Sequence, residues 1–172
     1  MNTSIVLTIL ADDQPGIIQS VSSVLHKHGG SWVQSSMSSL AGQFAGILLA
    51  TVPTVNSVAF REELLGLESR GLHIIAQICG QAAATEQTRE CVLDLVGNDR
   101  PGIVHDITTV LAKHNVNVRE LETVVESASM AGGEIFRARA ELLVPVSTDI
   151  DLLESELENL ANDLMVDIRL EK

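Results

Sequence analysis

Residues Ile5–Val33 read IVLTILADDQPGIIQSVSSVLHKHGGSWV, and they lie without a gap over Cys91–Arg119, CVLDLVGNDRPGIVHDITTVLAKHNVNVR. The shared Asp-x-Pro-Gly-Ile occurs as Asp13–Ile17 and again, 86 positions later, as Asp99–Ile103. Apolar positions coincide along the overlap: Leu7 with Leu93, Ile9 with Leu95, Val21 with Ile107, Val24 with Val110 and Leu25 with Leu111. Lys27-His28 falls on Lys113-His114. A self-match of this length is the mark of a tandem duplication, which decides the fold before any single element does.

Each half contains the same series of elements. Ser4–Leu10 is apolar and β-rich, a strand ending in the turn at residues 11–14. Pro15 suits the first position of a helix, where its missing N–H costs nothing. Ile17, Ile18, Val21, Val24 and Leu25 recur at helical spacing, and Gly29-Gly30 stops the helix. Trp32–Leu40 and Gln43–Val52 read as strands around Ala41-Gly42. Val58–Arg70 carries Phe60, Leu64 and Leu67 on one helical face, and Leu72–Gly80 closes the half as a strand. The second half repeats the pattern at Cys91–Gly97, Pro101–His114, Val116–Glu126, Glu134–Val144, Thr148–Asn162 and Leu164–Leu170, with Thr148 as the expected N-cap. The order β-α-β-β-α-β predicts an α+β chain of two ferredoxin-like domains. Each has a four-stranded antiparallel sheet with both helices on one face. Residues 1–80 form the first domain, 81–90 a linker and 91–172 the second. Pro53 and Pro145 are 92 apart rather than 86, so six extra residues enter around Ser127–Gly133, expected as a longer, mobile hairpin tip. Halves this small gain from packing against each other, and an extensive interface between them is expected.

Composition narrows the function. The 172 residues carry a net charge of −12, with 11 Lys and Arg against 23 Asp and Glu. The imbalance is concentrated in the second half, −9 against −3. A nucleic-acid binder needs clustered Lys and Arg to displace phosphate counterions. This chain has no such cluster, and only Trp32, Phe44, Phe60 and Phe136 could stack on bases. Direct nucleic-acid binding is therefore not expected. Cys79 and Cys91 form no metal-binding or CxxC spacing and read as buried thiols in a reducing compartment. No signal peptide or membrane-spanning run is read, which points to the cytoplasm.

The five histidines and the many carboxylates do not converge on a catalytic centre in the sequence. His26 and His28 point to different sides of a helix end, and His28 and His114 suit helix C-termini, where a cation is favoured. His105, one turn into its helix, is the histidine most worth locating. Asp149–Asp163 makes one helix strongly acidic around the apolar stripe Ile150, Leu153, Leu157, Leu160 and Leu164, which serves either solubility or docking onto a basic partner. Walker, Rossmann, Gly-x-Ser-x-Gly and zinc patterns are missing, and no metal or cofactor is expected. The repeated loop admits two readings. Gly16 and Gly102 allow close approach of a ligand or a backbone, and N–H groups at the helix N-terminus suit a carboxylate. Asp13 and Asp99 could accept from an ammonium group, which completes the needs of an amino-acid zwitterion. Alternatively the acid caps the helix, the proline opens it and the glycine packs tightly.

A β-α-β-β-α-β unit with (N/D)-x-P-G-(I/V) between its first strand and first helix resembles the ACT domain, a regulatory module that senses small molecules, commonly amino acids. ACT domains pair through their sheets and take ligands between domains. A stand-alone tandem pair of this length is similar to the glycine cleavage system transcriptional repressor family. That resemblance implies a small amino acid as ligand, glycine first. It also implies a protein partner, a DNA-binding activator controlled by contact. The implied ligand site comprises Asp13, Gly16 and Ile17 of the first loop and Asn98, Asp99, Gly102 and Ile103 of the second. The family's asparagine near the start of the second strand falls on Asn117, with Ser31 in its place in the first half. The histidine that some members carry two residues before the loop acid is replaced by Ala11 and Gly97. Two other roles suit the same fold: an interaction module that ignores ligands, and a detached regulatory subunit of an amino-acid or one-carbon enzyme. Free sheet edges leave homo-oligomers open.

Overall fold

In β1, Asn2–Asp12, every second residue from Ile5 to Ala11 is buried and the residues between are not, the period of a strand with one face on a core. A computed structural model of the protein describes residues 1–80, 87–127 and 133–171. After β1 come α1 (Ile17–Lys27), β2 (Ser31–Leu40), β3 (Gln43–Pro53), α2 (Ser57–Gly66) and β4 (His73–Ile78). The second half runs β5 (Thr88–Asn98), α3 (Ile103–Lys113), β6 (Asn117–Ser127), β7 (Glu134–Pro145), α4 (Ile150–Leu164) and β8 (Val166–Glu171). The sheets have the strand orders β2-β3-β1-β4 and β6-β7-β5-β8, with every pairing antiparallel. These are two ferredoxin-like folds, as the duplication predicts.

The chain divides into compact units Met1–Ala83 and Ala84–Lys172, each with its own core. In the first, Ile17, Val21, Val24 and Leu25 of α1 and Phe60 and Leu64 of α2 pack on Ile5, Leu7, Ile9, Leu48, Ala50 and Val52. In the second, Ile103, Ile107 and Leu111 of α3 join Leu153, Leu157 and Leu164 of α4 over Cys91, Leu93, Leu95, Ala140, Leu142 and Val144. A repeated irregularity confirms the internal homology: β2 shifts register between Trp32 and Gln34, and β6 between Val118 and Glu120.

Several boundaries move for physical reasons. Pro15 and Pro101 do not open the helices, which begin at Ile17 and Ile103. Gly16 and Gly102 stand between, at φ of 96° and 100°, a left-handed conformation outside the helical region. The α-helical part of Val58–Arg70 ends at Gly66. Leu67–Arg70 tightens into a 3₁₀ turn before Gly71 at φ 80°. In the second half the N-cap is Asp149, not Thr148. The Asp149 carboxylate accepts from the backbone N–H of Asp151 and Leu152, both at 3.1 Å, whereas the Thr148 hydroxyl donates to His114 O. α4 then runs on through Leu164, which is buried with the helix stripe. Cys91 is buried as expected, but Cys79 lies just past the end of β4 and is exposed. β5 reaches back to Thr88, into the stretch read as linker. Residues 81–86, and the core of the expected hairpin tip at 128–132, lie outside the described residues.

Candidate functional site

Both repeated loops leave the end of a central strand and are clasped by a hairpin. Asp13 N donates to Gly42 O at 2.9 Å, and Asp99 N donates to Glu134 O at 2.8 Å. Neither α1 nor α3 has a side-chain cap, in contrast to α4 with Asp149. The first intrahelical bonds are Ser20 N to Gly16 O and Asp106 N to Gly102 O, each 2.9 Å. The N–H groups of the opening turn, which no intrahelical carbonyl can satisfy, therefore point into the loop without a side-chain acceptor from the cap position. Tight packing by the protein, one of the expected reasons for glycine, does not hold. A Cβ on Gly16 or Gly102 would meet only the ends of Gln19 and Asp106, at 3.8 and 3.9 Å. Positive φ selects glycine here, and no crowding does.

The two acids are placed alike and partnered differently. Ser39 Oγ donates to Asp13 Oδ2 at 2.5 Å. The position equivalent to Ser39 in β6 is Val125, and among the described residues the Asp99 carboxylate has no hydrogen-bond partner. Neither acid caps its helix. Asn98, exposed at the end of β5, is the counterpart of Asp12, which accepts from Gln43 Nε2 at 2.7 Å. Ile17 and Ile103 are buried in the cores, so only their backbone can face a ligand. Gly97 lies in register with Val166, and any side chain there would overlap it. Ala11 is buried as well. A histidine fits at neither place.

Ser31 and Asn117 do not join the loops within a domain. Asp12 pairs with Gln43, whereas Ser31 pairs with Thr51. Asn98 pairs with Ile135, whereas Asn117 pairs with Leu143. In each sheet the loop and the second-strand residue are thus eight residues apart along the middle strand, about 26 Å at ~3.3 Å per residue. No single amino acid spans that distance.

The first loop has a neighbour that sequence reasoning missed. Gln14, Pro15 and Gly16 line a cleft of about 230 Å³ together with Gln19, Ser20 and Arg70. Arg70 ends the 3₁₀ turn after α2. Its guanidinium and the open end of α1 make the cleft a place for an anion. Arg70 directly precedes the helix-stopping Gly71, but its approach to a loop more than fifty residues earlier carries no local signal.

His28 and His114 are structural. Lys27 Nζ and His28 Nε2 meet Glu63 at 2.8 and 2.9 Å. Lys113 Nζ and His114 Nε2 meet Glu156 at 2.7 and 3.2 Å, the last contact within ion-pair reach but out of line for a hydrogen bond. Both histidines do occupy the C-cap positions of their helices, with their rings turned to the second helix of the domain. Lys27 first and then His28 hold the Glu63 carboxyl below its ordinary value, and Lys113 and His114 do the same to Glu156. His105 is exposed on α3. No three His, Cys, Asp or Glu among the described residues are grouped to hold a metal, and no described helix is long and apolar enough to cross a membrane.

Residues 3–76 match the ACT domain family, and residues 92–162 match it again. The fold of the whole chain recurs in the crystal structure of an unknown protein from Galdieria sulphuraria, with a TM-score of 0.87 and 29% identity, covering 99% of this chain and 98% of that one. It recurs also in a candidate glycine cleavage system transcriptional repressor, with a TM-score of 0.68 and 17% identity, covering 99% and 97%. A UPF0237 protein of Methanopyrus kandleri is 32% identical over 80 residues, which are 45% of this chain and 80% of that protein. With both halves matched, the chain belongs to the ACT domain family and consists of two ACT domains in tandem.

Proposed function

We propose that the protein is a non-enzymatic, amino-acid-responsive regulator that controls a transcriptional activator of glycine cleavage through protein contact. The observation that carries this reading is the uncapped helix N-terminus behind Asp-x-Pro-Gly-Ile in both ACT domains. A carboxylate suits the open N–H groups, and an ammonium group suits the loop acid. Asp99, without a hydrogen-bond partner among the described residues, is the better acceptor of the two. Arg70 adds a second carboxylate contact at the first loop. The full-length likeness to the repressor candidate supports the placement in glycine metabolism. The partner meets the acidic side of α4, where Asp151, Glu158 and Asp163 are exposed. Glu156 takes no part, being held by Lys113 and His114. A ligand regulates only by favouring one arrangement over another, since equal affinity for both shifts nothing.

Titration calorimetry with glycine, serine and other amino acids tests the site. Saturable binding at or below millimolar ligand is expected. Asp99→Ala should weaken the second site, and Arg70→Ala the first, each tenfold or more. Heat absent for every amino acid at millimolar concentration would refute the sensor. One observation favours a second reading for the first domain: Ser39 already occupies the Asp13 carboxylate, and Ser31 replaces the family's asparagine. In that reading the first domain binds its partner without a ligand. Partner capture that is unchanged by amino acids and by Arg70→Ala would select it.

A further inference from the structure

The two sheets carry opposite kinds of outer face, the face away from the helices. In the second domain, register places Glu122, Arg139, Asp94 and Arg169 in one row across the four strands, with Glu120, Glu141 and Glu171 in the next. In the first domain the matching rows are Ser36, Ile47, Thr8 and Ile75, then Gln34, Leu49, Val6 and Gln77, then Ser38, Ala45, Leu10 and His73. Asp12, at the end of the central strand β1, is the single Asp or Glu on this face, and no Lys or Arg occurs on any of its four strands. Leu10, Ile47 and Ile75 remain 47, 55 and 62% exposed on it. The edges follow the same division. β2 and β4 contain no Asp, Glu, Lys or Arg, whereas β6 and β8 contain several.

We infer that the outer face of the first domain's sheet is the surface through which two copies of this chain associate. Charge selects the occupant. A chain of net charge −12 repels its own image wherever an acidic surface meets itself, and a two-fold contact always brings a patch against the same patch. The first sheet's face, with Asp12 as its single charge, meets its copy with little of that repulsion, while the second sheet's face must desolvate the charges of Glu120, Glu122, Arg139, Asp94, Arg169 and Glu171 to meet its own. Size agrees. Four strands at ~4.8 Å, with five alternate residues at ~6.7 Å on β1, β2 and β3 and three on β4, cover at most roughly 19 by 34 Å. That projection suits a standard interface of ~800 Å² of accessible surface per partner. Edge strands that lack the charges used to deter pairing add no obstacle beside it.

Light scattering after size exclusion, on the full chain at tens of micromolar, tests the inference. The expected mass is twice 18.4 kDa. Ile47→Lys and Ile47→Glu, both at a solvent-facing position, should each give a monomer with unchanged circular dichroism. Mixing the two should restore a dimer, which also shows that both are folded. Val124→Lys on the outer face of the second sheet should leave the mass unchanged. A wild-type monomer, whatever else covers the face, overturns the inference, as does a dimer that survives both Ile47 substitutions.

Discussion

Glu63 and Glu156 perform the same task in the two halves, each joining its domain's second helix to the Lys-His pair that ends the first. Their carboxyl pKa values are lowered in the fold, chiefly by the lysine hydrogen bond and next by the histidine. A lowered value gives stability that is present above the ordinary carboxylate range, near ~4.3, and is lost as pH falls through the folded value. Glu63→Gln/Glu156→Gln should therefore melt below the wild type at pH 7, and the gap should close as the pH falls below about 4. Thermal melts across that range check it, and a gap of constant size at pH 3 would place its origin elsewhere. Lys113-His114 was legible as the repeat of Lys27-His28. Its partner was not, because a glutamate 36 residues along the chain from Lys27 is brought close only by helix packing. The site residues show the same division. The loop acids and the glycines were readable from Asp-x-Pro-Gly-Ile, but the left-handed conformation of Gly16 and Gly102 was not. The remoteness of Ser31 and Asn117 from the loops depends on strand register, and Arg70 enters through tertiary approach alone.

At the scale of elements, periodicity placed every strand and helix, and errors gathered at the ends, where a cap or a single left-handed residue decides. Pro15 reads as a helix opener only while the conformation of Gly16 is unknown; φ of 96° moves the start to Ile17. Thr148 and Asp149 both suit an N-cap by residue type. The tie breaks because the Thr148 hydroxyl donates to the carbonyl of His114, a bond from a different element, which leaves Asp149 to the helix. Asp149→Ala should cost about 1 kcal/mol in urea denaturation of the second domain, and Asp149→Asn much less, since either side chain accepts from the opening N–H groups. Equal losses in the two variants would show that charge near the helix start, not the cap bond, is what Asp149 supplies.

Over the whole molecule, duplication made the architecture readable: one half interpreted correctly supplied the other, and the 92-residue spacing of the prolines located the extra length of the second hairpin. The unlike outer faces of the two sheets stayed hidden, because alternate residues sort onto faces only once strand register is known. Charge was legible at once and bears on the proposed control of a gene through protein contact. Neutralising phosphates requires clustered cations, each released counterion adding affinity that salt removes. Arg137 and Arg139 are neighbours on one face, but Glu126 holds the first at 3.1 Å and Asp94 the second at 2.9 Å. Arg119 is shared between Glu90 and Glu141, and both raise its pKa. With Lys27, Lys113, Arg119, Arg137 and Arg139 committed to carboxylates and no cluster of Lys or Arg in the sequence, the protein should leave duplex DNA unshifted in a mobility assay at ~150 mM salt, with or without amino acid. It should retard the complex further only once a DNA-binding protein partner is bound. A shift by the protein alone that fades steeply with salt would reverse the charge argument and replace control by protein contact with direct binding.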